Sequence, residues 1–274
     1  MTIFTGIKTA LAVLTVTASS WAAADDEKMQ HVLAGEHRAE NSARDESRHP
    51  GETLSFFGLE PDMTVVEIAP GGGWYTEILA PYLRDTGTYY AAHFDPNSSV
   101  AYYQRSRAGF DTKLAANPEL YDQTQVTQFE LPNKLDIAPA GSADMVLTFR
   151  NVHNWYMRGG GEEKVALAFD AFYKALKPGG VLGVVDHRLP EDYADEAQDH
   201  SGYIKTSTVV KVAEAAGLVL DAQSEVNANP KDTAQHEKGV WTLPPSYRLG
   251  DTDRAKYEAI GESDRMTLRF VKPE

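Results

Sequence analysis

Three consecutive glycines, Gly71-Gly72-Gly73, follow a short β-branched run, Thr64–Ile68 (TVVEI), and precede a helical pattern over Tyr75–Leu83. A strand turning through glycines into a helix brings its backbone close to a ligand. Glu67 lies inside the strand. A buried carboxylate is costly unless it is hydrogen-bonded or faces a cation. A pyrophosphate would be a poor neighbour, and no Gly-Lys-Ser/Thr follows to make a phosphate loop. The motif therefore points to a nucleotide-like ligand with a cationic end. Asp95 directly follows a second strand, Thr88–Phe94 (TYYAAHF), where such folds place an acid on ribose hydroxyls.

Two further polar clusters follow strands. Arg150-Asn151-Val152-His153-Asn154-Trp155-Tyr156 comes after Asp144–Phe149, and Asp186-His187-Arg188 after Val181–Val185. In a parallel sheet these loops border the crevice that holds the glycine turn. Histidine exchanges protons near neutral pH, so His153 and His187 are the candidate catalytic bases. Asn154, Trp155, Asp186 and Trp241 are candidates for substrate contact. His153, Asp186, His187 and His200 could also make a nitrogen–oxygen metal site. No His-Glu-x-x-His spacing exists, and no metal is expected. The chain has no cysteine, which excludes disulfides, thiolate zinc sites and a cysteine nucleophile.

The elements that must position these groups alternate between strand and helix. Further strands are predicted at Gln125–Phe129, Leu218–Asp221 and Met266–Val271. Helices are predicted at Pro50–Gly58, Val100–Asn117, Glu162–Leu176 and Thr206–Ala216. Lys177-Pro178-Gly179-Gly180 should end the third of these. Charges at helical spacing (Glu36, Arg38, Glu40, Arg44, Asp45, Arg48) make residues 25–49 read as a solvated helix. Residues 222–263 break the alternation and read as an insertion before the last strand. Its Trp241, Pro244, Pro245 and Tyr247 could cover the crevice as a lid. Asp264 and Arg265 are expected to form an internal ion pair, and Trp74-Tyr75 to pack against the sheet.

Glu67-x-Ala69-x-Gly71-x-Gly73 resembles the acidic-x-Gly-x-Gly-x-Gly motif of class I S-adenosylmethionine (SAM)-dependent methyltransferases, with alanine at the first glycine. Asp144-Met145-Val146-Leu147 and Lys177-Pro178-Gly179-Gly180 match later motifs, so the resemblance covers residues 50–221 and the last strand. More narrowly, Pro70–Glu77 (PGGGWYTE) and Glu262–Phe270 (ESDRMTLRF) resemble a group of exported predicted methyltransferases. The resemblance implies a three-layer Rossmann-like α/β domain whose seven-stranded sheet has an antiparallel last strand. It implies SAM as cofactor, held by Glu67, Ala69, Pro70, Gly71, Gly72, Gly73, Tyr75, Asp95, Glu130 and Arg150, with Asp136 a second match at the adenine.

The first residues have the three parts of a secretion signal: Lys8, an apolar stretch over Thr9–Trp21, and Ala22-Ala23-Ala24 as cleavage site. Residues 1–24 are expected to be removed, leaving 25–274 as one domain without a stable membrane anchor, periplasmic or secreted. A formal charge of −14 argues against a nucleic-acid partner. The expected partner is a small molecule. Methyl transfer leads the functional readings. An exported, non-catalytic ligand-binding protein on the same fold, and a metal-dependent hydrolase, are the alternatives.

Overall fold

The computed structural model describes residues 27–274; the expected leader, residues 1–24, lies outside them. Strand β1 (Thr64–Ile68) is buried along nearly all its length, as the centre of a parallel sheet requires. It pairs in parallel with β2 (Thr88–His93) on one side and β4 (Ala143–Phe149) on the other. The sheet runs β3-β2-β1-β4-β5-β8-β7, where β3 is Gln125–Gln128, β5 Leu176–Leu189, β7 Val219–Ser224 and β8 Arg265–Val271. Only β8 runs antiparallel to its neighbours, β5 and β7. A two-residue strand, β6 (Ile204–Lys205), extends from the end of β5.

Alternate side chains of β1 point into two separate cores. Val65 joins Phe57, Ile78 and Phe110 from α3 (Pro50–Phe57), α4 (Thr76–Leu83) and α5 (Ala101–Ala116). Val66 joins Phe169, Phe172 and Val209 from α8 (Gly161–Ala175) and α9 (Thr206–Ala215). The domain is therefore the expected three-layer α/β sandwich with an antiparallel last strand. Three shorter helices complete the connections used below: α1 at 27–33, α2 (Asp45–Arg48) and α7 (Val152–Tyr156), with α6 (Pro118–Tyr121) after α5 and α10 (Arg254–Ile260) before β8. Among the described residues, no helix is long and apolar enough to cross a membrane.

Two segments differ from the sequence reading. Lys177-Pro178-Gly179-Gly180 ends the helix but belongs to β5, because Gly179 N–H donates to Lys272 O and Lys272 N–H to Gly180 O. Residues 34–49 are not a solvated helix. They are two short 3-10 turns followed by the single-turn helix α2, and Arg38 and Arg48 within them are buried. Arg38 makes two 2.7 Å hydrogen bonds to Asp45. Helical charge spacing looks the same whether the partner is water or a counter-charge, so the pattern alone could not separate them.

Residues 222–263 are pinned to the domain by Asp232, whose side chain is fully buried. It accepts hydrogen bonds from Tyr203 Oη, His236 Nε2 and the backbone N–H groups of Ala234 and Asp264. Removing a buried acceptor strands all of these donors. Asp232→Ala should cost about 3 kcal/mol or more in urea unfolding. A loss under about 1 kcal/mol would mean the donors find water instead.

Candidate functional site

The turn after β1 takes left-handed conformations at Ala69 (φ 48°), Gly71 (φ 61°) and Gly73 (φ 78°). A side chain at Gly71 or Gly72 would meet nothing, so this stretch of backbone lies open. A Cβ at Gly73 would press within 3.3 Å of Phe110, Lys113 and Thr76, so this glycine lets α4 pack against α5. Ala69 pays for its missing glycine with a backbone strain of about 1 kcal/mol. His93, at the end of β2, holds the turn from below. Its Nδ1 accepts Phe94 N–H, which leaves Nε2–H to donate to Gly71 O at 3.1 Å. Burial pushes its pKa down, favouring this neutral form. Sequence reasoning passed over His93; its place at the end of β2, one strand from the motif, was the available signal.

Glu67 is buried, and Oε2 accepts hydrogen bonds from Thr76 Oγ1 at 2.9 Å and from Tyr89 Oη. Burial raises its pKa to about 7, against the opposing pull of those two hydroxyls. The neighbours in the turn are equally committed. Trp74 lies under the guanidinium of Arg48, 4.6 Å from its ring centre, and donates Nε1–H to Asn41 O. Tyr75 is buried and stacks on Phe149 at 3.5 Å, beneath the cleft rather than in it. Glu77 accepts from Asn41 Nδ2 and pairs with Lys113. Trp74 and Glu77 thus dock the segment before α2 onto the start of α4.

Asp186, at the end of β5, is fully buried and saturated. Oδ2 accepts the N–H groups of Val152 and His153; Oδ1 accepts His187 N–H and His153 Nδ1–H, the last at 2.7 Å. It is a positioning group for His153 rather than a substrate contact. His187 Nδ1 lies 2.5 Å from Ser263 Oγ, and the two histidine rings are 4.9 Å apart. Burial, then His153 and three arginines, hold the His187 pKa well below its ordinary value. His153, Asp186 and His187 offer ligand atoms within 4.8 Å of one another. The donor set is poor for a cation, because Asp186 has no free lone pair and Arg48, Arg150 and Arg265 add positive charge.

A cleft of about 510 Å³ joins these parts. The open turn (Ala69, Pro70, Gly71, Gly72) forms one wall; Arg150, Asn151, His153, Asn154 and His187 form another. Trp241, Pro244 and Pro245 of the 222–263 segment cover it, whereas Tyr247 lies outside under Arg254. Other candidates stand elsewhere. Trp155 packs on Phe129 and Phe172 in the core. Asp95, beyond the cleft, pairs with Lys134 at 3.1 Å and accepts Asn97 N–H. Glu130 accepts Ser98 Oγ–H, and its Oε2 is buried without a partner. Asp136 is on the surface with Lys174. His200 lines a separate cavity of about 830 Å³ on the far side of Trp241. Asp264 pairs with Arg188 and Arg265 with Glu262, so the two neighbours do not pair with each other.

No family model matches this sequence, and no curated protein matches it. Solved structures do match. A SAM-dependent methyltransferase from Aquifex aeolicus is 15% identical over 90% of this chain and 98% of its own, with a TM-score of 0.55. The methyltransferase SibL is 13% identical over 86% of this chain and 57% of its own, with a TM-score of 0.53. The [4+2]-cyclase SpnF is 15% identical over 83% and 81%, with a TM-score of 0.56. The fold is that of class I SAM-dependent methyltransferases. At these identities the likeness concerns architecture, and residue roles rest on the geometry above.

Glu67 gives a pH test of the site. Its folded pKa is raised, so the native state holds a proton that the unfolded chain releases. The associated stability is present below about pH 4.5 and is lost as pH rises through about 7. The loss is about 3 kcal/mol. Between pH 5 and 8, urea unfolding of Glu67→Gln should lack most of this fall; equal falls in both proteins would remove Glu67 as its source.

Proposed function

We propose that this protein transfers a methyl group from SAM to a small molecule. One observation carries the reading: the open glycine turn beside buried Glu67 shares a cleft with an oriented His153–Asp186 pair. The residues present fit the cofactor. Open backbone at Gly71 and Gly72 admits its methionine end, and Glu67 suits a neighbouring cation. Asp95 and the partnerless Oε2 of Glu130 stand ready for the ribose and adenine, once Lys134, itself half exposed, moves aside. When bound, SAM supplies an electrophilic methyl group on a sulfonium.

The chain supplies orientation and proton removal. Nδ1–H of His153 is held by Asp186, which leaves Nε2 as the acceptor for a proton from the substrate. Asp186 stabilises the resulting imidazolium, as a buried carboxylate does in hydrolase triads. Neutral His187, braced by Ser263, is the second group on that wall. Trp241, Pro244 and Pro245 limit water over the reacting atoms. The motif at the N-terminus supports export, so we further propose that the mature chain begins at Asp25. Fractionation followed by mass spectrometry should find that start in the periplasmic fraction; protein found only in the cytosolic fraction, with residue 1 intact, would overturn export.

The test of the function is calorimetric titration of SAM into wild type and Asp95→Ala. Saturable binding that the variant weakens is expected; absence of binding overturns the reading. With an acceptor in hand, His153→Ala should lower turnover about 10²–10⁴-fold while leaving SAM affinity unchanged. Saturable binding without turnover of any acceptor would instead favour a non-catalytic ligand-binding protein.

A further inference from the structure

The cleft lining contains three arginines, Arg44, Arg48 and Arg150, and a single acid, Glu262. A fourth arginine, Arg265, is buried behind them. Glu262 is shared among three of the four. It accepts from Arg44 Nε at 2.7 Å and from Arg48 Nε at 3.3 Å, and it pairs with Arg265. The Arg150 guanidinium has no hydrogen bond or ion pair to any described residue; only its backbone is engaged, by Val185 O and Asn154 Nδ2. Arg48 is 2% exposed, and its Nη1 and Nη2 are both buried without a partner. Two unpaired guanidinium nitrogens in so dry a place are a costly arrangement. A planar fork of donors facing a cleft is the geometry that carboxylate and phosphate oxygens match.

Four guanidinium groups against one carboxylate leave three positive charges. The other acids nearby do not offset them, since Asp186 is saturated and neither it nor Glu67 lines the cleft. Repulsion and burial show in the arginines themselves: burial, then Arg150, pushes the Arg48 pKa down to about 8. The proposed cofactor does not resolve the imbalance. SAM carries one carboxylate but also an ammonium and a sulfonium, so its binding adds positive charge. The missing negative charge belongs to something else in the cleft.

We propose that the Arg44–Arg48–Arg150 cluster is the subsite for an anionic group of the methyl acceptor, a carboxylate or a phosphate. This rests on the methyltransferase reading for the word acceptor, but not for the anion. Arg48, clamped on the Trp74 ring, supplies a fixed fork. Arg150 and Arg44, which line the same cleft, complete the set of donors. The acceptor atom then lies toward His153, which lines the same cleft.

The experiment uses inorganic phosphate and malonate as probes, titrated by calorimetry at constant ionic strength. Each is added to the full-length protein alone and to protein saturated with SAM. Arg150→Gln and Arg44→Gln are measured alongside, with thermal melts to check that they fold. The Arg150 side chain has no hydrogen-bond partner to lose, so its variant keeps a near-native melt even if the Arg44 variant does not. The expected result is saturable anion binding with and without SAM, weakened about tenfold or more in Arg150→Gln. Anion binding that SAM abolishes would assign the cluster to the methionine carboxylate and overturn the proposal. SAM binding with no anion binding would also overturn it, leaving methyl transfer intact. Anion binding with no SAM binding would keep the anion site and sink the methyltransferase reading.

Discussion

One carboxylate, Glu262, organises the cleft. It holds Arg44 and Arg48, respectively 218 and 214 residues away in the chain, together with Arg265 three residues on. Burial alone would raise its pKa; the arginines outweigh that and bring it down to about 2. Glu262 can do this because of where β8 begins. An antiparallel strand inserted beside β5 starts at the end where the parallel strands finish. Arg265 therefore pairs in register with His187, and Ser263, just before it, reaches His187 Nδ1. The single reversed strand brings an acid, a hydroxyl and an arginine to the edge where ligands bind in such sheets.

The glycine turn meets the same clasp from the other side. Once Gly73 has let α4 pack closely on α5, the four residues after the glycines point in different directions. Trp74 supports Arg48, Tyr75 supports Phe149, Thr76 reaches back to Glu67, and Glu77 grips Asn41 and Lys113. The helix start thus ties the floor of the cleft to the 34–49 segment. That segment reaches across to Glu262 through Arg44 and Arg48. Three stretches far apart in sequence meet around one cavity, and each depends on a partner in another.

This explains which parts were legible in the sequence. Local patterns carried most of the fold: β-branched runs, helical spacing and breakers gave the layers, whereas the reversed last strand came from the resemblance to class I methyltransferases. The glycine turn, Glu67, His153 and His187 were visible because their chemistry is tied to positions at strand ends. What depended on distant partners was not visible. Arg38 and Arg48 looked like solvated charges because Asp45, Trp74 and Glu262 are not apparent as neighbours along the chain. Trp155 looked like a ligand contact because a loop position does not reveal that the ring turns back onto Phe172. Asp264, just before β8, reaches Arg188, whereas Arg265, its first residue, reaches Glu262, so adjacency in sequence did not bring the two together.

The charge of the whole chain also takes a different meaning beside the cleft. At −14 the protein repels anions at long range, yet the cleft lined by Arg44, Arg48 and Arg150 concentrates positive charge in a small volume. Charges on the outer surface are screened over about 8 Å at physiological ionic strength, whereas a fork of guanidinium donors acts at contact. The outer acidity therefore does not decide what the cleft can hold. The inner arginines select for a compact anion that fits under Trp241 and Pro244. The arginine cluster and His153 line one cleft, so an anion held by the first fixes which part of the same molecule can meet the second.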